Sequence, residues 1–240
     1  MKYFPLFLLL ILCACKNDDK APDAAVTQKP EMKLPAPKKV QIRSGKATFV
    51  EDETPEANVE DDLNGDGERD RLDVITTKEE NDGLGFKRQL VVYSGEGADL
   101  DAWYTAGEVI LSTRHGGMMG DPLESVKIEN GTIVVRHFGG SRAKWHNTHR
   151  FRWQDGDFKL IGATIINDDA CTEYTELDYN LSTGEAEYSV TPQDCTGDEI
   201  KKGVKLITTF RKKMPLPSMD GFVSGTYELS APELNKAVYF

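Results

Sequence analysis

Residues 62–73 contain the side chains whose types and spacing point most clearly to a chemical role. Side-chain oxygens stand at positions 1, 3, 5, 9 and 12 of this segment, and Gly67 stands at position 6. A hard cation such as Ca²⁺ takes about six to eight oxygen ligands, and a tight loop can aim alternate residues inward where a glycine permits the sharp turn. The spacing therefore predicts a structural calcium site. Its predicted ligands are the side chains of Asp62, Asn64, Asp66, Asp70 and Asp73 and the main-chain carbonyl of Glu68.

The charge around this segment favours the same interpretation. Eleven acidic residues and two basic ones lie between Glu51 and Asp73. Such a block repels itself unless a cation neutralises part of it. The alternative is that the Asn-Gly and Asp-Gly pairs at residues 64–67 simply form polar turns, but five spaced oxygens together with the glycine favour calcium.

The run D-L-N-G-D-G-x-x-D that begins at Asp62 resembles the calcium loops of FG-GAP and VCBS-type repeats. Dockerin loops share this spacing, but a helix follows them, whereas the β-branched residues at positions 74–77 favour a strand. In that family several copies build a propeller, and one copy of the motif is visible here, so a seven-bladed integrin-like propeller built from this chain alone is excluded. More loosely, residues 62–168 resemble single-loop, all-β bacterial envelope lipoproteins, which carry this motif near the N-terminus of the domain.

The N-terminus has the features of a lipoprotein signal peptide over residues 1–14. Lys2 precedes an apolar run that is too short for the ~20 residues of a membrane-spanning helix. The sequence Leu12-Cys13-Ala14-Cys15 is similar to the bacterial lipobox, which implies cleavage before Cys15 and acylation of its sulfur, with palmitate among the attached chains. Lys16 follows, and this implies an outer-membrane anchor facing the periplasm. The alternative is a secretory signal without lipidation.

Residues 15–60 are expected to form a flexible tether that joins the acylated cysteine to a domain at residues 61–240. Five prolines stand among lysine, aspartate, alanine and glutamine in this stretch. Residues 40–42 and 48–50 are β-prone, so the end of the tether stays open. Loss of residues 1–14 removes Lys2 and no acid, which changes the net charge from −11 to −12. An acidic protein of this kind is not expected to bind nucleic acid.

The remaining sequence predicts one mainly β domain, an antiparallel meander, curved sheet or sandwich. Asn130-Gly131 and Asp155-Gly156 separate pairs of β-prone segments, and both dipeptides tolerate the positive φ of tight hairpins. Another hairpin is expected at residues 174–190, with its turn at residues 182–185. Residues 99–106 and 231–237 are the two short stretches compatible with helix. Predicted strands lie at residues 89–93, 125–128, 132–135, 150–153, 158–161 and 205–210.

Cys171 and Cys195 are the pair that remains in the domain once Cys13 is removed and Cys15 is acylated. In an oxidising periplasm they are expected to form a disulfide, which would stabilise the fold by about 3 to 4 kcal/mol. Two free thiols or a metal pair are the alternatives, although no further soft ligand lies close in sequence.

A second group of candidate residues lies in the basic stretch at residues 136–149. His137, His146 and His149 fall there, and His115 precedes it. A zinc site is possible in a histidine-rich loop, but residues 146–149 lack the spacing and glutamate of a zinc hydrolase. Ser141 follows two glycines, as in a nucleophile elbow, yet no apolar helix follows it.

Two surface features are also open to more than one interpretation. The loop at residues 116–122 contains Met118 and Met119; it is a partner or ligand surface if they are exposed and a plain turn if they are buried, and the turn is preferred. Arg150 and Arg152 alternate with Phe151 and Trp153, which is typical of a solvated strand face and less often of a docking surface for an acidic partner or glycan.

These observations predict a lipid-anchored, periplasm-facing, calcium-binding β domain that acts as a non-enzymatic binding module. Its partner would be an envelope protein, a cell-wall glycan or a secreted toxin that it neutralises as an immunity protein, and a monomer is expected. The rival hypothesis is a hydrolase of envelope polymers with structural calcium. That hypothesis requires the histidines to gather with Ser141 or a carboxylate in an open pocket.

Overall fold

The computed structural model describes residues 58–95, 100–196 and 199–240, apart from the side chain of Asn58. These residues belong to one compact unit. The predicted signal peptide, the acylated Cys15 and residues 15–57 of the tether lie outside the described residues. Within the described ranges the regular secondary structure is β-strand without helix, so no helix there is long and apolar enough to cross a membrane.

The strands form a four-stranded sheet, a larger sheet and a small C-terminal hairpin. The four-stranded sheet has the order β1-β2-β3-β4, and the larger sheet runs β11-β10-β9-β8-β7-β6-β5, with β12 paired to the same β10 strand. All these pairings are antiparallel. The strands are β1 Asn58–Asp61, β2 Asp70–Glu80, β3 Phe86–Ser94, β4 Asp101–Gly107, β5 Leu123–Glu129, β6 Thr132–Gly140, β7 Ala143–Gln154, β8 Asp157–Asp169, β9 Glu173–Asn180, β10 Glu185–Asp194, β11 Lys201–Lys202, β12 Leu206–Arg211, β13 Glu228–Leu229 and β14 Val238–Tyr239.

The two large sheets share one hydrophobic core. Leu72 and Val74 of β2 belong to the same buried cluster as Phe151 of β7 and Leu160 of β8. Successive side chains of a strand point to opposite faces, so one face of each sheet supplies this core. The predicted antiparallel, mainly β domain is confirmed, and its arrangement is that of two packed sheets.

The C-terminal segment completes the core of the larger sheet. Met219, Phe222 and Phe240 are all fully buried. The Met219 amide donates to the Phe158 carbonyl at 2.8 Å, and the Phe222 ring lies edge-on to Phe151 with 5.4 Å between ring centroids. Main-chain bonds to β8 and aromatic packing on β7 therefore hold this segment over the sheet.

The turns follow the dipeptides that predict them. Asn130 and Gly131 have φ values of 53° and 66°, and Asp155 and Gly156 have values of 55° and 79°. Both residues of each pair lie in the left-handed region that a two-residue hairpin requires. The predicted hairpin at residues 174–190 is also present, with the turn between β9 and β10.

Three features differ from the sequence-based expectation. Residues 99–106 do not form a helix where they are described, because β4 pairs along β3, and residues 231–237 form turns. The histidine-rich stretch is not a loop, since β6 and β7 pair through Gly140 and Lys144 and leave a short turn at Ser141. Residues 58–60, assigned to the tether, belong to β1.

Candidate calcium-binding loop and its surroundings

The acidic segment forms the connection between β1 and β2, at residues 62–69. Leu63 is 4 % exposed and joins the core, whereas residues 65–69 are exposed to solvent. A buried leucine near the start of the loop and a strand on each side fix both of its ends. The predicted strand after the loop is β2, as the β-branched residues indicated.

Asp62 is the centre around which the loop turns. Its Oδ1 accepts a hydrogen bond from the Gly65 amide at 2.7 Å, and its Oδ2 accepts one from the Gly67 amide at 2.9 Å. Gly65 and Gly67 have φ values of 79° and 90°, which only glycine adopts without strain. The two glycines thus allow the backbone to wrap around the Asp62 carboxylate.

Asn64 and Asp66 continue the same pattern along the loop. The Asn64 Oδ1 accepts from the Asp66 amide at 2.8 Å, and the Asp66 Oδ1 accepts from the Glu68 amide at 2.8 Å. The Asn64 side-chain amide also donates to the Asp66 Oδ2 at 2.9 Å. Side-chain oxygens at alternate positions therefore hold the loop in a series of local turns.

Asp70 lies at the start of β2 and is 1 % exposed. Its Oδ2 accepts from the Leu63 amide at 2.9 Å, and its Oδ1 accepts from the Trp103 indole N–H at 2.9 Å. Burial, and to a smaller extent the charges of Asp66 and Asp62, raise the pKa of Asp70 against these two hydrogen bonds, which lower it. Three carboxylates therefore share one electrostatic environment.

Asp73 takes a different position from the other predicted ligands. Strand residues alternate between faces, so Asp73 lies on the face of β2 opposite to Asp70. It forms a two-pronged ion pair with Arg71, at 2.9 and 2.8 Å, which raises the pKa of Arg71. Arg69 pairs with Glu60 at 3.7 Å. Both arginines of the segment thus face acids other than Asp62, Asp66 and Asp70.

The residues fit a calcium ion in their chemistry, although their side chains are not drawn together. Within the described ranges no group of three or more histidine, cysteine, aspartate or glutamate side chains is arranged to hold a metal ion. The loop oxygens accept N–H groups instead, and a carboxylate oxygen has a second lone pair that such a bond leaves available. Asp62, Asn64, Asp66 and Asp70 supply hard oxygen donors, which is the donor class that calcium takes.

An aromatic cluster extends from Asp70 into the space between the sheets. Trp103 of β4 contacts Trp153 of β7 edge-on at 5.0 Å and stacks on Phe158 of β8 at 5.8 Å, measured between ring centroids. The neighbouring Tyr104 donates its hydroxyl to Asp157 at 2.9 Å. The loop is therefore connected through one hydrogen bond to the contact between the two sheets. Sequence reasoning missed this link because Asp70 and Trp103 belong to different strands.

Two of the four histidines lie inside the protein. His137 of β6 is fully buried, and its Nε2 accepts from the Leu111 amide at 3.2 Å. His149 of β7 is 1 % exposed and lies edge-on to Phe222 at 4.8 Å between ring centroids. Burial lowers the pKa of each histidine to about 3. Among the residues that the structure describes, Nδ1 of His137 and Nε2 of His149 have no hydrogen-bond partner.

Of the other candidate catalytic residues, His115 is close enough to His137 for its charge to lower the pKa of His137, whereas His146 and Ser141 have other surroundings. His146 stacks on Phe138 at 4.5 Å, and Ser141 is exposed in the turn between β6 and β7. His115 lines a cavity of about 50 Å³ with Arg88 and Ser112. The guanidinium of Arg88 is buried and forms an ion pair with Asp121. Within the described residues, the histidines and Ser141 do not gather in one open pocket.

The remaining sequence features take simple structural roles. Arg150 donates to Thr164 and Arg152 to Gln154, as expected of a solvated strand face. Met118 is 84 % exposed and Met119 is 42 % exposed. The preferred interpretation, a turn with buried methionines, is therefore wrong. The predicted disulfide is present. It joins Cys171, in the turn after β8, to Cys195, just after β10.

No family model matches this chain, and no curated protein or solved structure gives a significant match to it. The chemistry of the loop therefore rests on its own residues and distances, and the resemblance of its spacing to FG-GAP and VCBS-type loops stays an expectation.

Proposed function

We propose that this protein is a lipid-anchored envelope module in which a structural calcium ion at residues 62–70 stabilises a β domain used for binding. Asp62, Asn64, Asp66 and Asp70 would hold the ion, with the Glu68 carbonyl. Asp73 is left out of this set because its carboxylate is paired with Arg71 on the other face of β2. A bound calcium ion supplies positive charge and oxygen affinity, and no chemical step is assigned to it.

The observation that carries this proposal is the environment of Asp70. Its carboxylate is almost completely buried, and the charges of Asp62 and Asp66 raise its pKa further. Burial of a carboxylate near two others is unfavourable unless a positive charge compensates it. Because both loop arginines pair with other acids, a divalent cation is the compensating charge that the donor set favours.

Thermal and chemical unfolding of the full chain in calcium and in chelator tests the proposal. Extracellular calcium sites bind at about 10⁻⁴ to 10⁻³ M, so 10 mM calcium should stabilise the native state by about 1.4 to 2.7 kcal/mol over chelator. The D62N/D66N variant should lose this difference, because it removes two ligand charges. E68Q is the matched control and should keep it, since only the main chain of Glu68 is assigned a role. Equal stability in calcium and chelator for the unaltered chain would refute the calcium site.

A binding role is favoured over hydrolysis by the distribution of the reactive side chains. His137 and His149 are buried in the core, whereas Ser141 is exposed in a turn. A nucleophile or general base must reach a substrate together with its partner group. Envelope proteins and glycans are the proposed partner classes, with a secreted toxin as the third. Retention on immobilised cell-wall glycan or on envelope protein fractions would separate them.

The proposed location is the periplasmic face of the outer membrane, where an acylated Cys15 would anchor the protein. The support is the sequence Leu12-Cys13-Ala14-Cys15 after an apolar segment. Mass spectrometry of the mature N-terminus should show an acylated cysteine and no residue before it. Cys15→Ala should abolish both the lipid mass and membrane fractionation, whereas Cys13→Ala should preserve them.

A further inference from the structure

The edge of the larger sheet at β12 has an unusual surface for an acidic protein. Within the part of the chain that the structure describes, β12 pairs with β10 alone, so its outer edge is free. In an antiparallel strand, alternate residues direct their N–H and C=O groups away from the paired neighbour. These groups offer hydrogen bonds to an additional strand.

Apolar side chains are concentrated along this edge. Val204 is 80 % exposed, Leu206 is 62 % exposed and Ile207 is 57 % exposed, and Ile200 is also exposed. Leu206 and Ile207 are neighbours in the strand and so lie on opposite faces of the sheet. An added strand could therefore bury apolar surface on both faces.

Basic residues surround the apolar part. Six basic residues and no acidic residue lie between Lys201 and Lys213, in a chain whose net charge is −11. The Lys205 ammonium group lies 3.9 Å from the Glu176 carboxylate, and the other lysines of the segment are exposed. The edge is thus an apolar centre with positive charge at both ends.

A second copy of this chain does not fit that charge pattern. Antiparallel self-pairing centred on residues 208 and 209 would place Lys205 opposite Lys212 and Leu206 opposite Arg211. Like charges directly opposite in a sheet are destabilising. Lysines on an edge strand also prevent uncontrolled pairing between copies.

The acidic residues 51–56 of the same chain are not suited to be the added strand either. Residues 51–56 precede Asn58 by at most seven positions, a reach of about 25 Å. Asn58 begins β1, which contacts β5, and β5 lies six strand spacings from β12, about 29 Å. The segment would have to cover the sheet and then still pair along the edge.

We propose that the free edge of β12 is a docking site for an extended, acid-flanked segment of a partner protein, which adds to the larger sheet as a further strand. Main-chain hydrogen bonds supply the attachment and the basic ends select the acidic flanks, as in other cases of strand addition. This site is separate from the calcium loop and does not depend on it.

The test uses the full chain and a fluorescent synthetic peptide with an alternating valine–threonine core between two glutamates at each end. Its fluorescence anisotropy should rise on binding, and hydrogen exchange at Leu206–Arg211 should slow. K202E/K205E should weaken binding of this peptide by about tenfold or more. The same variant should bind more tightly a second peptide in which lysines replace the flanking glutamates. K78E/K127E, which reverses two exposed strand lysines elsewhere, should change affinity by less than about twofold, as expected of screened charges far from the site.

Four results would overturn the proposal. The first is an unchanged anisotropy at millimolar peptide, and the second is binding that leaves exchange at β12 unaltered. The third is equal affinity in K202E/K205E and the unaltered chain. The fourth is sedimentation that reveals a dimer paired through β12. Circular dichroism of each variant checks that the sheet is intact. The same measurements in chelator should give the same affinities, which separates this site from the calcium loop.

Discussion

Asp70 is the residue at which the loop and the core meet. Its two oxygens bind the Leu63 amide at the start of the loop and the Trp103 indole of β4. The first hydrogen bond fixes the loop and the second fixes the contact between sheets. A single buried carboxylate therefore connects the candidate ion site to the packing of Trp103 on Trp153 and Phe158.

The coupling between Asp70 and Trp103 can be measured by a double-mutant cycle. Asp70→Asn leaves one N–H group without its acceptor, and Trp103→Phe removes the indole donor. In chelator, the free energy of unfolding should show a coupling of about 1 to 3 kcal/mol between the two positions. Urea denaturation of the two single variants and the double variant supplies the measurement. Strictly additive losses would show that the hydrogen bond contributes nothing to stability.

The sequence predicts the loop residues well and their connections less well. The spacing of Asp62, Asn64 and Asp66 is local, and local backbone geometry then follows from the two glycines. The link from Asp70 to Trp103 spans 33 residues, and nothing in the spacing reveals it. For Asp73 the twelve-residue pattern assigns a ligand position, whereas strand alternation turns the side chain toward Arg71.

At the scale of the strands, hairpins were the most predictable elements. Asn130-Gly131 and Asp155-Gly156 specify both the turn and the register of the flanking strands. The start of β7 was missed because the basic and histidine-rich residues at 143–149 lack the usual apolar alternation. Their strand conformation comes from pairing with β6 on one side and β8 on the other, which is non-local information.

The hairpin between β6 and β7 depends on close approach at Gly139. A Cβ at this position would lie 2.3 Å from Cζ2 of Trp145 and 2.9 Å from Cα of Gly116. Gly139→Ala should therefore destabilise the protein by about 1 to 3 kcal/mol, as overpacking does. Gly107→Ala is the matched control, because a Cβ there meets nothing within 4 Å. Thermal unfolding that gave equal stability for both variants would contradict the packing of Trp145 over Gly139.

The two large sheets enclose a core that is mainly apolar but contains two buried histidine rings. His137 and His149 lie on the inner face of β6 and β7, beside residues that are buried and apolar. The charges of Arg88 and His115 lower the pKa of His137, and that of Asp121 raises it. The charges of His137 and Arg150 lower the pKa of His149. Burial is the largest influence on both rings and keeps them neutral at ordinary pH.

This arrangement makes the stability of the molecule sensitive to acid. The two buried histidines have pKa values of about 3 in the native state, against 6.5 for an ordinary histidine. Between these values the unfolded chain binds more protons than the native protein, so stability falls as pH falls from about 6.5 toward 3. Each histidine contributes a loss of up to about 1.4 kcal/mol per pH unit. Asp121 and Asp157 have lowered pKa values and act only below their ordinary value of 3.8.

Urea denaturation between pH 6.5 and 4.5 lies above the window of those two aspartates. Asp70, whose pKa is raised by burial, is present in every variant compared, so its contribution cancels when their slopes are subtracted. His149→Gln should reduce the slope of unfolding free energy against pH by up to about 1.4 kcal/mol per pH unit, since one buried ring no longer titrates. His146→Gln is the matched control, because that ring is partly exposed beside Phe138 and Glu124. An equal slope in His149→Gln and the unaltered chain would contradict this account. It would mean that His149 either stays neutral in the unfolded chain or is charged in the native core. A charged ring conflicts with the burial of His149 against Phe222.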